Sequence, residues 1–116
     1  MTISLAIEYR DQEKKRYRIP IATHHIFFTC WIPACRELEL TRIPHFETGY
    51  PVIHLNLETL PGVMDELRRL KTFFVECADQ LASECIAQFI IERIDRLLFE
   101  MGKAVENWAE IEYIRV

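Results

Sequence analysis

From residue 63 to residue 101 the chain contains neither glycine nor proline, and its apolar residues return at helical intervals. Val63, Leu67, Leu70, Phe74, Cys77 and Leu81 keep one direction at about 100° per residue, whereas Ile86, Ile90, Ile94, Leu97 and Met101 point roughly 180° away. A single rod would leave one of the two stripes in water. The pattern therefore predicts two antiparallel helices broken near "CADQ", with Pro61 in the first turn of the first and Asp79 capping the second. A straight rod dimerising through both faces is the alternative. Gly102 stands where a glycine would close the second helix.

The rest of the chain supplies strands. Ile3, Leu5, Ile7 and Tyr9 alternate with Ser4, Ala6 and Glu8, and Tyr17, Ile19 and Ile21 alternate with Arg16, Arg18 and Pro20. With the polar "RDQEKK" between them, these segments predict a β-hairpin, charged outside and aliphatic inside. "ELELTRI" and "PVIHLNL", on either side of "PHFETGY", predict a second hairpin. "WAEIEYIRV" predicts a terminal strand with Ala109, Ile111 and Tyr113 on one face and Glu110 and Glu112 on the other. Arg16 and Arg18 would pair with these glutamates if the two strands were neighbours. The expected fold is α+β: a two-layer sandwich of element order ββαββααβ, its antiparallel-dominated sheet of about five strands packed against about three helices.

At 116 residues, 50% of them hydrophobic, the chain is expected to form one domain, 1–116, able to bury a core without staples. A formal charge of −4 repels phosphate backbones mildly, so no nucleic-acid partner is expected. The N-terminus lacks a basic region before an uninterrupted apolar run, which points to a cytoplasmic protein with Cys30, Cys35, Cys77 and Cys85 reduced and mostly buried.

Residues 19–35, "IPIATHHIFFTCWIPAC", carry no formal charge and lie between Arg18 and Arg36. The run is short for a membrane span and holds two prolines and two histidines, so no membrane role is expected. Thr23 suits an N-cap, and 24–37 reads as a helix interrupted or kinked at Pro33. On a helical wheel, Phe27, Phe28, Trp31, Ala34, Cys35 and Leu38 fall within about 80° of His24, while His25 and Cys30 lie elsewhere. None of the His and Cys pairs in this run has the i,i+3 or i,i+4 spacing of helical metal ligands. Cys30 and Cys35 diverge by about 140° with roughly 7.5 Å of rise between them, poor geometry for a bridge. The segment is expected to be a core helix, with no metal.

Nucleotide-cradling, nucleophile-elbow and zinc-protease motifs are all missing, and three glycines cannot form a Gly-rich phosphate cradle, so no cofactor and no catalytic residue is assigned. The most reactive-looking cluster is His45, Glu47 and Tyr50 in a loop, with His54 on the following strand. "KKRYR" at 14–18 mixes basic residues with Tyr17, but strand alternation turns Tyr17 toward the core. Trp31 and Trp108 are the candidate interface residues. The leading expectation is a small protein-binding module that neutralises or regulates a protein partner, comparable in size and acidity to immunity proteins that neutralise toxins. A cofactor-free enzyme or ligand-binding domain built on the 45–54 hairpin is the second, and a homo-oligomer the third.

Overall fold

The structure is a computed structural model that describes residues 2–10, 15–48, 53–83 and 85–116. Strands β1 (Thr2–Tyr9) and β2 (Arg16–Thr23) form the expected antiparallel hairpin, with Leu5 opposite Ile19 and Ile7 opposite Tyr17. Ile3, Leu5, Ile7, Ile19 and Ile21 are buried on one face of the hairpin. Two further strands, β3 (His54–Leu55) and β4 (Ile111–Arg115), complete a sheet of order β2-β1-β4-β3 with antiparallel pairing throughout. The C-terminal strand thus adjoins β1 rather than β2. The expected pairing of Arg16 and Arg18 with Glu110 and Glu112 is replaced: Arg16 meets Glu8 at 2.6 Å and Glu112 meets Arg10 at 2.9 Å. The pleat of β4 also slips. A register shift at Glu8/Tyr9 lets Ile111 and Ile114 both face the core, in place of strict alternation.

The described sheet has four strands, not about five, because "ELELTRI" closes a helix instead of pairing. Glu39 adopts a left-handed conformation, φ 57°. Its N–H donates to the Arg36 carbonyl at 3.2 Å, and the Leu40 N–H donates to the Cys35 carbonyl at 2.9 Å. This paired closure satisfies the last helical carbonyls and folds Leu40 into the core. The following "IPHFET" is a 3₁₀ turn (Ile43–Thr48) anchored by Glu66. That buried carboxylate accepts the Arg42 and Ile43 N–H groups at 3.1 Å each. Of the expected second hairpin, residues 49–52 lie outside the described residues, and β3 retains only two residues of "PVIHLNL".

Helix α1 spans residues 24–37. It opens with Thr23 as N-cap, the hydroxyl accepting the Ile26 N–H at 3.2 Å. Pro33 lacks an N–H and crowds the carbonyl four residues back. Instead of breaking, the helix widens into a π segment (Phe27–Trp31), where the Ile32 N–H donates to the Phe27 carbonyl, before an α-helical end (Ile32–Glu37). A π turn takes more residues per revolution, so the phase carried forward from His24 slips. Phe28, expected inside, is exposed, while Cys30, expected elsewhere, is buried beside Trp31.

Helices α2 (Leu60–Glu76) and α3 (Ala87–Glu106) form the helical pair that the opposed stripes require. The Asn56 side chain accepts the Glu58 and Thr59 N–H groups at 2.8 and 3.0 Å, which starts α2 with Pro61 in its first turn. Lys71 and Asp95 bridge the two helices at 2.7 Å. Asp79 lies in a 3₁₀ turn (Ala78–Gln80) and does not cap α3, whose N-cap residue is Ile86. Nor does Gly102 end α3, which continues for another turn.

Leu67, Leu70 and Phe74 of α2, and Ile90, Ile94 and Met101 of α3, meet Phe27, Trp31 and the inner sheet face in one core. Trp31 stacks on Phe27 with ring centroids 5.8 Å apart and leans on Phe74 at 6.4 Å. The expectation of reduced thiols is overturned at one pair. Cys30 and Cys85 form a disulfide, their Cα atoms 5.6 Å apart. The π segment turns Cys30 inward, toward the chain entering α3, a placement that regular helical phase does not anticipate. Cys35 and Cys77 are free. No helix among the described residues is long and apolar enough to cross a membrane.

Candidate functional site

The described residues among those proposed from sequence lie on a 3₁₀ turn, on β3, in α1 and before β4. His45 is exposed on the 3₁₀ turn, Glu47 beside it is half-buried, and His54 is exposed on β3 opposite Arg115. Tyr50 lies outside the described residues. The three clefts described below are not lined by His45, Glu47 or His54. Among the described residues, no three His, Cys, Asp or Glu side chains gather into a metal-binding group. Of the two tryptophans, Trp108 is half-buried in a 3₁₀ turn before β4, whereas Trp31 is 1% exposed. Trp31 is therefore not itself a surface contact, but it lines a cleft.

That cleft, about 230 Å³, lies where the end of β2, the start of α1 and the first two turns of α3 meet. Pro20, Ile21, Ala22 and Thr23 form one wall, Ile26 and Trp31 another, and Phe89, Ile90 and Arg93 the third. Ile21 and Ile90 point inward from elements whose periodicity was legible. Phe89 falls one position off the α3 stripe and stays 49% exposed, and Ile86 just ahead of it is 63% exposed. The Arg93 guanidinium lies 4.8 Å from the centre of the Phe89 ring. Arg93 is the one formally charged residue lining this cleft, and no carboxylate pairs with it among the described residues.

Two groups in the walls around the cleft lack hydrogen-bond partners from side chains. The Trp31 indole N–H is a buried donor with no acceptor, the one such side-chain group among the described residues. Leaving a donor of this kind unmet costs roughly 1–3 kcal/mol. The N-terminus of α3 has no side-chain cap and no acidic residue in its first turn, so its first N–H groups and the positive end of the helix dipole lack a partner from a capping side chain. The disulfide braces this arrangement, since Cys30 immediately precedes Trp31 and Cys85 immediately precedes Ile86. Sequence periodicity identifies the walls of the cleft but not its assembly, which depends on the π segment and the bridge.

Two other clefts differ in chemistry. A groove of about 450 Å³ between α1 and the end of α2 is lined by the disulfide, by Cys77 and by Phe73 and Leu81. A smaller polar cleft of about 200 Å³ brings together Tyr9, Lys15, Tyr17, Lys103, Asn107 and Glu110. Tyr17, expected in the core, is instead exposed, with its ring edge-on to Tyr9 at 5.7 Å. Burial, and then the negative charge of Glu100, raise the Tyr9 hydroxyl above its ordinary pKa, so it stays a neutral donor.

Comparison of the chain with protein-family models, with curated proteins and with solved structures finds no match.

Proposed function

We propose that this chain is a protein-binding module and that it meets its partner at the Trp31 cleft. The observation that supports this reading is a small apolar depression with a large, half-exposed aromatic at its rim and an exposed isoleucine beside it. Protein interfaces concentrate their energy where a pocket receives one apolar anchor and neighbouring contacts exclude water. The partner is either another protein or a second copy of this chain. A cytoplasmic location, expected from the N-terminal sequence, requires that the Cys30–Cys85 bridge be reduced there, whereas in an oxidising compartment the bridge would persist.

The test places a photo-crosslinking amino acid at position 89, and for comparison at 47 and 54, in the protein expressed in its native host. The reading predicts one discrete adduct from position 89 and none from the other two, with its mass distinguishing a partner from a second copy. No adduct from 89, or equal adducts from all three positions, would count decisively against it.

A further inference from the structure

We infer that the Trp31 cleft takes the apolar C-terminal residue of a partner polypeptide, with the terminal carboxylate held by Arg93 and the first turn of α3. This rests on the cleft being the binding surface and adds the chemistry of what enters it. Size is the first argument. Sites for drug-sized ligands occupy about 300–1,000 Å³, whereas this cleft has about 230 Å³, suited to one side chain.

Charge is the second argument. The lining is apolar or uncharged except for Arg93, whose guanidinium has no carboxylate partner among the described residues and is held in place over the Phe89 ring. The start of a 20-residue helix, which no side chain caps among the described residues, stands at the same wall, and the N-terminus of a helix favours an anion. Gln88, in that first turn, donates to Glu92 at 3.2 Å, so the nearest helical carboxylate is already engaged. An apolar side chain and a carboxylate attached to the same residue occur in a polypeptide only at its C-terminus. Trp31, whose indole N–H is buried, lines the same cleft, so its resonance reports on what enters it.

The sheet leaves room for the residues preceding that terminus. β2 is an edge strand, and its Pro20–Thr23 end forms a wall of the cleft. Extended peptides commonly join such edges through main-chain hydrogen bonds. Pro20 offers a carbonyl but no N–H, which limits this pairing and leaves the terminal residue as the principal contact.

The test uses the Trp108→Phe variant, in which Trp31 is the sole tryptophan, so its indole N–H gives one resonance in the ¹⁵N spectrum. The probe is a pool of pentapeptides ending in Leu, Ile, Val or Phe, as free acids and as C-terminal amides, beside 4-methylpentanoate as a small free acid. We expect the free-acid pool to shift the indole resonance saturably, the amide pool to bind at least tenfold more weakly, and Arg93→Gln to reduce the acids to the level of the amides. Equal affinity for acid and amide, or no movement of the indole signal, would overturn the proposal on unaltered cleft residues, whatever the stability of the arginine variant. Binding of 4-methylpentanoate as tight as that of the peptides would overturn the polypeptide occupant in favour of a small acid. These outcomes are separable from the crosslinking result, which reports whether any protein sits at the cleft and not what terminus it presents.

Discussion

Among single residues, the two free cysteines are the clearest contrast. Cys35 lies at the centre of the core, and burial, reinforced by the nearby Glu66 carboxylate, pushes its thiol up from 9.0 to about 12. The thiol is the neutral form, so the folded state holds a proton that the unfolded chain releases at lower pH. Its contribution to stability is therefore intact below pH 9.0 and is lost as pH rises toward about 12. Cys77 ends α2 only partly buried, facing the groove beside the disulfide. Reactivity depends on both access and ionisation. With a thiol-specific chromogenic reagent at pH 8, the native protein is expected to yield one equivalent promptly, from Cys77, and a second only on denaturation. Prompt release of both would show that Cys35 is not enclosed as described.

Among elements, local pattern was a good guide wherever one periodicity ran unbroken. The β1–β2 hairpin, the two long helices and the terminal strand follow directly from spacing, and the opposed phases of Val63–Leu81 and Ile86–Met101 favoured two helices over a single rod. The remainder depended on features that spacing does not carry. "ELEL" alternates like a strand, yet Glu39 takes a left-handed conformation normally left to glycine, at a cost of about 1–2 kcal/mol, because closing α1 and burying Leu40 offset it. The π segment moved Phe28 outward and Cys30 inward, and with them the bridge and the cleft. His45 and Glu47 were conspicuous as residue types and share one 3₁₀ turn, with His54 on the short strand β3. Gly102 shows the same limit within a helix, since it looked like a terminus but lies inside α3. A Cβ there would meet no atom within 4 Å. Alanine lowers the entropy of the unfolded chain and favours the helix, so Gly102→Ala is expected to stabilise the protein by about 0.5–1 kcal/mol in urea denaturation. An unchanged or lower midpoint would mean that the helix does not continue through this position.

At the scale of the whole molecule, the disulfide joins the first half of the chain to the second. It ties the helix that follows the N-terminal hairpin to the connection between α2 and α3, across a sequence separation of 55 residues. On chain-entropy grounds, closing a loop of that size removes freedom from the unfolded state worth about 4 kcal/mol. For a chain of this length each kcal/mol moves the thermal midpoint by roughly 4 °C, so reduction is expected to lower it by roughly 15 °C. Much of the core is held by contacts other than the bridge, including the β1–β4 pairing and the packing of α2 on α3, so the reduced protein should still fold cooperatively at room temperature. The cleft should respond more than the bulk of the core does. Apart from the long run of backbone between them, its Trp31 wall and its α3 wall are tied by the Cys30–Cys85 cross-link, so reduction would free the start of α3 to move away from Trp31. Thermal melts of oxidised and reduced protein, together with the affinity of the free-acid peptides for each, measure the two effects separately. Coincident melts would remove the bridge from the account of stability, and a loss of affinity larger than the loss of stability would identify the brace as part of the binding site.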